Sequence, residues 1–382
     1  MIGILRGFSE QADVARAVAD LHSQIWQGPD ATVLFFVSPI FDREILTAEM
    51  ELQFAGCQLI GCTTAGEITL EGYREGTLVG MTLPAAEFKV KPLLIEGLSR
   101  YSMEDGEVLV RQALDSAGLA MPTQLTHPSH CFAMLLIDGM SKQEELVVAS
   151  LNRYLDPIPL FGGSAGDDLN FRSTWVYLNG AFHGDAAILS VFTTTRPFKV
   201  FKLDHFLPTE TKMVVTEADP NARLVMEINA EPAALAYARM VGLEAQELSP
   251  MIFAAYPVVV KIGGEYHVRA IQKVETDGSL RFYCGIEEGL VLTVAHGEDI
   301  ALNLDRSLKA LKLEVGEIEM ILGFDCILRR LEAQQKQKTH EVSAVLKRNN
   351  VFGFSTYGEQ FRSMHVNQTF TGVAIGQPRG GN

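Results

Sequence analysis

Three short stretches combine glycine, small hydroxyl residues and an acid, the residue types that build tight turns, anion cradles and acid–base sites. Residues 61–67 read GCTTAGE, residues 162–168 read GGSAGDD and residues 353–359 read GFSTYGE. The middle stretch has one residue fewer between its first glycine and its first acid. Three such loops in one chain predict three copies of one structural unit.

The middle loop allows two catalytic interpretations. Ser164 stands in a Gly-x-Ser-x-Gly pattern after a strand, but a hydrolase nucleophile in that pattern is followed at once by a helix. The chain here continues without helical periodicity. Asp167 and Asp168 could form a carboxylate pair for acid–base work or metal binding. The recurrence of an acid as Glu67 and Glu359 favours turn capping instead, so we expect no enzyme.

Anion and thiol chemistry are further alternatives. Glycine loops after strands expose N–H groups that bind phosphate, but these loops lack the Walker lysine and the full dinucleotide fingerprint. Cys62 and Cys326 lie at strand ends, where a thiolate or metal ligand is an alternative to a buried core thiol. The five cysteines form no CxxC pair, so the sequence does not support a structural zinc site or a c-type haem.

Length and charge exclude several classes of protein. A chain of 382 residues exceeds what one core usually supports, so two or three domains are expected. The net charge of −15 disfavours nucleic-acid and anionic-membrane partners, which require a basic face. No apolar run is long enough for a transmembrane helix or a signal peptide. We expect a cytoplasmic protein without membrane insertion, and homo-oligomerisation is left open.

The recurring order strand–helix–strand–loop–strand positions the three loops. The first strands are continuous apolar runs, which predict strands buried on both faces of a sheet; they span 31–38, 131–138 and 318–326. Apolar residues at helical spacing predict the helices that follow, at 42–54, 142–154 and about 327–348. An Asn-Gly pair between apolar arms at 175–182 predicts a hairpin after the middle loop.

The segment between the second and third copies has another character. Residues 201–316 contain short strands and a hairpin that turns at Gly263-Gly264, which indicates an antiparallel α+β region. The predicted fold is α/β: an N-terminal α/β domain of two strand–helix–strand–loop–strand repeats, plus an α+β C-terminal domain that contains a third related unit. The predicted bounds are 1–200 for the first domain, with repeats at about 1–98 and 99–200, 201–376 for the second, and 377–382 for a flexible tail.

Four motifs in this order resemble the FIST family. They are residues 61–67, residues 162–168, the FDCILR run at 324–329, and residues 353–359 followed by Asn367-Gln368-Thr369. The resemblance spans about residues 25–375 and implies a FIST N domain followed by a FIST C domain. It also implies an intracellular sensory module that binds a small ligand, of the kind found near two-component and cyclic-di-GMP signalling.

The size of the chain is similar to that of a stand-alone bacterial branch of this family, NosP, whose members bind haem and sense nitric oxide. That resemblance implies a b-type haem as cofactor, and a sensor histidine kinase or a cyclic-di-GMP signalling protein as partner. The alternative is a sensor that binds an amino acid or another small metabolite without haem. The sequence itself contains no haem signature.

The resemblance also directs the choice of haem-binding residues, because b-type haem needs an apolar slot and usually one axial His, Cys, Tyr or Met. His365 lies beside the third loop and is the first choice as axial iron ligand. His183, just past the Asn-Gly hairpin, is the second, with Tyr357 and Met364 as distal or packing residues. The alternative role of His365 is hydrogen bonding to the adjoining turn. Other histidines beside apolar segments are His205, His267 and His296.

Overall fold

Three six-stranded sheets with the same strand order form most of the protein. A computed structural model describes residues 3–122, 130–262 and 264–378. Within these ranges, no helix combines the length and hydrophobicity that crossing a lipid bilayer requires. Each sheet is built mainly by one of three successive units.

The first unit follows the apolar pattern of its sequence. Its elements are β1 (Leu5–Ser9), α1 (Val14–Ile25), β2 (Thr32–Val37), α2 (Arg43–Gln53), β3 (Gln58–Thr63), β4 (Glu67–Thr69), β5 (Gly72–Arg74) and β6 (Leu78–Leu83). Every residue of β2 is buried, as its continuous apolar run predicts. The side chain of Asp42 accepts hydrogen bonds from the second and third backbone N–H groups of α2 and so fixes where that helix begins.

The second unit repeats this order. Its elements are β7 (Phe88–Glu96), α3 (Asp105–Ser116), β8 (Cys131–Ile137), α4 (Glu144–Leu155), β9 (Leu160–Ser164), β10 (Val176–Leu178), β11 (Ala181–His183) and β12 (Ala186–Thr194). The predicted Asn-Gly hairpin is confirmed, because β10 pairs with β11 around Asn179 and Gly180. Strand β7 lies inside the first predicted repeat, but it pairs with β12 at the edge of the second sheet.

An antiparallel insert separates the first strand of the third unit from the rest of that unit. After β13 (Phe198–Leu203) come β14 (Phe206–Asp219), β15 (Leu224–Ile228), β16 (Glu231–Pro232), α5 (Ala233–Met240), α6 (Pro250–Ala255), β17 (Val258–Ile262), β18 (Glu265–Arg269), β19 (Ile271–Val274), β20 (Leu280–Phe282) and β21 (Val291–Gly297). The predicted hairpin is confirmed as β17 paired with β18; its turn residue Gly263 lies outside the described residues. All the strand pairs of the insert are antiparallel, as predicted.

The third unit continues with α7 (Ile300–Val315), β22 (Ile318–Cys326), α8 (Ile327–Gln335), α9 (Thr339–Arg348), β23 (Val351–Thr356), β24 (Glu359–Phe361), β25 (Met364–Val366) and β26 (Phe370–Gly376). The prediction of one helix over 327–348 was wrong. Gln337 adopts a left-handed φ of 56°, and the N–H of Lys338 bonds the carbonyl of Ala333 at 2.7 Å. This ends α8 in the manner of a Schellman turn.

The predicted fold class is therefore confirmed, with three related α/β units and an antiparallel α+β region. The predicted domain boundaries, including the flexible tail, stay predictions. Residues 379–382 of that tail lie outside the described residues.

Each sheet is completed by a hairpin from another unit. The strand orders are β1-β6-β2-β3-β10-β11, β7-β12-β8-β9-β24-β25 and β13-β26-β22-β23-β4-β5. The hairpin of the second unit thus joins the first sheet, that of the third unit joins the second sheet, and that of the first unit joins the third sheet. This exchange is cyclic, so no unit has a complete sheet of its own.

The three glycine loops interlock where the hairpins cross. In each case a backbone N–H of one loop bonds the carbonyl at or beside the end of the central strand of another unit. The three bonds are Ala65 N to Ser355 O (2.9 Å), Tyr357 N to Ser164 O (3.2 Å) and Gly166 N to Thr63 O (3.0 Å). The inner faces of the sheets meet beneath the loops in a shared aromatic core, where the rings of Phe36 and Phe354 are 4.6 Å apart.

We expect Gly166→Ala to lower the free energy of unfolding by about 1–3 kcal/mol, the usual penalty for overpacking. A Cβ at Gly166 would lie 2.7 Å from the backbone nitrogen of Ala65, and a backbone atom has little freedom to move away. Denaturant unfolding measures the change. Gly285→Ala is the control, since its nearest neighbouring atom would be 3.7 Å away on a flexible side chain. Equal stabilities of the two variants would contradict the interlock.

Candidate functional site

The acids of the first and third loops are enclosed by their own units. Glu67 and Glu359 are fully buried, and each bonds the threonine hydroxyl three residues earlier in its loop. The second carboxyl oxygen of Glu67 accepts from the hydroxyl of Thr77 at 2.8 Å, and that of Glu359 accepts from the hydroxyl of Thr369 at 2.6 Å. These contacts hold each turn against the strand that follows it.

Burial raises the pKa of Glu67 to about 7 and that of Glu359 to about 8, although the threonine hydrogen bonds act in the opposite direction. Both carboxyl groups therefore carry a proton through much of the neutral range. Because both are also fully buried, they are supports of the loops rather than groups presented to a substrate.

Strand register shows which acid of the middle loop corresponds to Glu67. Strand register places Ser164 opposite Ile137, as it places Thr63 opposite Val37. Asp168, and not Asp167, is thus the positional equivalent of Glu67. An alanine in the middle loop replaces the threonine that would bond this acid, and the backbone of Asp168 takes a left-handed φ of 59°.

Asp167 instead organises the turn that follows it. Its carboxylate accepts from the N–H groups of Phe171 (2.8 Å), Arg172 (2.8 Å) and Ser173 (3.0 Å), and from the hydroxyl of Tyr357. Ser164 is also engaged, because its buried hydroxyl accepts from the side-chain amide of Gln360 at 2.9 Å. The middle loop is therefore held by structural hydrogen bonds at both of its candidate catalytic positions.

His365, the first choice as iron ligand, is enclosed beside the third loop. Its Nδ1 lies 3.3 Å from the amide nitrogen of Gln360. A Cβ built on Gly358 would lie only 2.3 Å from Cε1 and 2.7 Å from Nε2 of the imidazole, so the ring fills the space beside that glycine. Burial lowers the pKa of His365 to about 4, which keeps the ring neutral.

The other predicted haem residues lie in different surroundings. Tyr357 stacks on Phe171 with ring centroids 4.6 Å apart. His183 belongs to the first sheet and lies 3.5 Å from Glu96. Met364 precedes His365 in β25, and neighbouring strand residues point to opposite faces. The structure therefore brings Tyr357 and His365 to the third loop, but it does not gather all four residues at one site. Their haem-binding roles stay predictions.

A groove of about 720 Å³ lies between three sheet edges, beside Met364 and His267. Its walls come from helix α7 and from the edge strands β13, β18 and β25, which belong to three different sheets. Its lining includes Val200, Phe201, Lys202, Leu203, His267 and Met364. Sequence reasoning named Met364 and His267 but did not connect them, because their strands lie about a hundred residues apart and meet only at sheet edges.

His267 is the titratable group of this groove with an unused ring nitrogen. Its side chain is buried, and Nδ1 has no hydrogen-bond partner among the described residues. Burial, reinforced by the charges of Lys202 and Arg269, lowers the pKa of His267. The imidazole is therefore neutral at physiological pH, the form in which it can donate a lone pair.

A buried ionic chain connects the insert to the third unit. Arg329 donates from Nε to Asp325 at 2.7 Å and from Nη1 to Nδ1 of His205 at 2.7 Å. Nε2 of His205 in turn donates to Glu332 at 2.9 Å. The hydroxyl of Tyr73, from the hairpin of the first unit, donates to Asp325. Asp325 and Arg329 both belong to the motif at 324–329, which therefore serves to join parts of the fold.

A smaller cavity of about 90 Å³ lies between the second unit and the insert. Its walls include the rings of Phe171, Tyr283 and Tyr357, and the side chains of Arg223 and Glu144. Arg223 donates to Glu144 at 3.0 Å, and burial raises the pKa of Glu144 to about 7. Across residues 3–122, 130–262 and 264–378, no group of three or more His, Cys, Asp or Glu side chains is arranged to hold a metal ion.

The raised pKa values of the loop acids predict an unusual pH dependence of stability. A carboxyl with a higher pKa in the folded than in the unfolded protein stabilises the fold below its ordinary pKa of 4.5, and this contribution is lost as pH rises through the folded value. We expect Glu359→Gln, which cannot ionise, to flatten the decline between pH 5 and pH 8 and to gain roughly 1–3 kcal/mol over the wild type at pH 8.

Denaturant unfolding at several pH values measures this effect. Glu210→Gln is the control, because Glu210 is exposed on β14. If Glu359→Gln and the wild type show parallel pH profiles, Glu359 is ionised in the folded protein and the proposed protonation is wrong.

Comparison with known proteins agrees with this architecture. The FIST N domain model matches residues 31–231, more than half of the chain, and the FIST C domain model matches residues 233–362. A search of curated proteins found no significant match. FIST domains are sensor modules of signal transduction that bind small ligands. The chain, with its FIST N domain followed by a FIST C domain, belongs to the FIST family.

Proposed function

We propose that this protein is a sensor that binds b-type haem in the groove between β13, β18 and β25 and responds to nitric oxide. Membership of the FIST family supports a ligand-binding sensor. The resemblance to the NosP branch supports haem as the ligand. The observation that favours this position is the neutral imidazole of His267 in the lining of the groove, whose Nδ1 has no hydrogen-bond partner among the described residues.

The groove has the donor set that haem requires. Its volume of about 720 Å³ lies within the range of roughly 300–1,000 Å³ that small-molecule sites usually have. His267 would hold the haem iron through a ring nitrogen, and Met364 would contribute a thioether. Phe201 and Leu203 supply apolar walls, and Lys202 supplies a cation for a propionate. His365 is the alternative ligand, but it does not line the groove, and its ring fills the space beside Gly358.

Bound haem supplies an iron to which nitric oxide coordinates. The residues of the protein hold the cofactor and report its state. His267 lies on β18 of the insert, whereas β13 and β25 belong to the sheets of the three units. A ligand held by His267 and by β13 or β25 would therefore contact both the insert and the units. Two arrangements of β18 with different affinities for a partner would be sufficient to transmit the signal.

The proposed partner is a sensor histidine kinase or a cyclic-di-GMP signalling protein. This assignment rests on the NosP resemblance. The movable surface would be the insert, since it contacts the ligand directly through β18 and joins the units through the buried chain from His205 to Asp325.

We expect the purified protein to bind added haem, giving a Soret band that shifts when nitric oxide is added. His267→Ala should lose this band or move it, because the axial nitrogen is removed. His183→Ala is the matched control, since His183 lies on another sheet and should leave the spectrum unchanged. Visible absorption spectroscopy measures each result.

His365→Ala separates the two placements of haem. Loss of the native spectrum in His365→Ala, with retention in His267→Ala, would move the ligand to the site predicted from the sequence and contradict the groove. A wild-type protein that does not bind haem in titration would remove the haem proposal altogether.

A metabolite sensor without haem is the second candidate, and the cavity of about 90 Å³ favours it. Water occupies about 30 Å³ in the liquid, so this cavity suits a ligand of only a few heavy atoms. Its aromatic rings suit a cationic group, and Lys142, which also lines the cavity, suits a carboxylate. A small amino acid carries both groups.

Thermal denaturation with a panel of small amino acids tests this candidate in haem-free protein. One or more of them should raise the melting temperature in proportion to the logarithm of its concentration above the dissociation constant. Phe171→Leu should abolish the effect while the fold remains cooperative. Phe361→Leu, which changes a ring in the groove instead, is the control. A panel without any shift would remove this candidate.

A further inference from the structure

The three units each form a crevice at the same position of the fold. The pairs β2–β3, β8–β9 and β22–β23 are parallel. A crevice opens beyond their carboxyl ends, where a loop from another unit crosses. In α/β proteins this is the edge of a sheet at which ligands generally bind. The units are related, so their crevices can be compared directly.

Two of the three crevices are occupied by the protein itself. In the third unit the side chain of Arg330 lies across the crevice, with Nη1 3.3 Å from the carbonyl of Ala65 and Nη2 2.7 Å from Glu75. A Cβ on Gly66 would overlap this guanidinium at 1.4 Å, so the space there is filled. In the second unit the insert closes the crevice with Arg223 and Tyr283, leaving the cavity of about 90 Å³.

The crevice of the first unit is open and has a volume of about 440 Å³. We call it the first-unit crevice. Its lining comes from the end of β2 with the start of α2, from the end of β3, and from the turn of the second unit that Asp167 organises. The residues that the argument uses are Ser38, Asp42, Arg43, Asp167, Arg172 and Trp175.

The side chains of the first-unit crevice offer unused hydrogen-bond donors. The guanidinium of Arg43 lies 3.8 Å from the ring centroid of Trp175, which holds it over the indole. Among the described residues, neither Arg43 nor Arg172 has an ion-pair partner. The indole Nε1 of Trp175 is buried and also lacks a partner in that part of the chain. An orphaned buried donor is rare and needs an explanation.

The two acids that line the first-unit crevice accept hydrogen bonds from other groups of the protein and not from these donors. Asp42 accepts from the N–H groups of Glu44 (2.9 Å) and Ile45 (3.0 Å) at the start of α2. Asp167 accepts from three backbone N–H groups and from a tyrosine hydroxyl. Both carboxylates are therefore engaged by other groups of the protein, which leaves the guanidinium donors of Arg43 and Arg172 available to an added acceptor.

We infer that the first-unit crevice is a binding site for a small oxyanion, a carboxylate or a phosphate group of a metabolite. Arg43 and Arg172 provide the charge, because arginine binds either group through paired N–H donors. The indole N–H of Trp175 provides a third, directional donor. The proposal is independent of haem, since none of these residues lines the groove between β13, β18 and β25.

The position of Trp175 provides a direct readout. The chain has two tryptophans, Trp26 and Trp175, so Trp26→Phe leaves the indole of the crevice as the only one. In this background, full-length protein is titrated with inorganic phosphate and, separately, with succinate at constant ionic strength. We expect a saturable change in tryptophan fluorescence with one anion or both, and the preferred anion identifies the oxyanion class.

Variants then test which side chains carry the binding. Arg43→Gln should weaken the preferred anion about tenfold or more, equivalent to about 1.4 kcal/mol, and Arg43→Lys should recover part of that loss. Arg153→Gln is the matched control, because this arginine also lies over a ring, that of Tyr154, but outside the crevice. Anion-dependent protection against thermal unfolding gives a second measurement in each variant that does not rely on fluorescence.

Two outcomes would overturn the inference. The first is a fluorescence response to phosphate and succinate that never saturates through the millimolar range and matches that to chloride. The second is a saturable response that Arg43→Gln and Arg172→Gln leave unchanged, which would place the anion elsewhere on the protein.

Discussion

The interlock of the three glycine loops is the constraint on which the rest of the structure depends. Each loop buries backbone N–H groups, and a buried N–H without an acceptor is strongly unfavourable. The acceptors are carbonyls of Thr63, Ser164 and Ser355, each on another unit. Because the exchange is cyclic, each unit provides the carbonyl acceptor for one neighbouring unit and donates its own loop N–H to the other. The aromatic core beneath the loops closes only when all three sheets are in place.

The insert has a sheet of its own and is attached to the units by a buried apolar cluster and by buried ion pairs. Arg329 joins it through His205, and Arg223 joins it to the second unit through Glu144 and Glu145. Buried ion pairs gain little net stability, because removing the charges from water offsets their attraction, but breaking one is costly. Such contacts favour defined arrangements over intermediate ones.

The sequence was informative wherever the signal was local. Continuous apolar runs predicted the central strands, and the recurrence of the glycine loops predicted three units. The hairpins β4–β5 and β24–β25 were missed, because three-residue strands carry almost no periodicity and their pairing is set by another unit. From the sequence alone, Asp167 and Asp168 together correspond to Glu67, whereas strand register identifies Asp168 alone as the equivalent. Sites made by sheet edges far apart in the chain, such as the groove at His267, could not be predicted.

The differences between the three crevices show how related units in one chain can form different binding sites. The backbone of the loops forms the interlock, and Glu67, Asp167 and Glu359 accept hydrogen bonds from other groups of the protein. The units differ in the crevices beside the loops. Arg330 fills the crevice of the third unit, the insert covers that of the second, and the crevice of the first unit, which Arg43 lines, is open. The motifs that are easiest to recognise in this sequence therefore specify how the units join. Ligand specificity has to be sought in the less regular residues around them, because only those differ between units while the backbone remains the same.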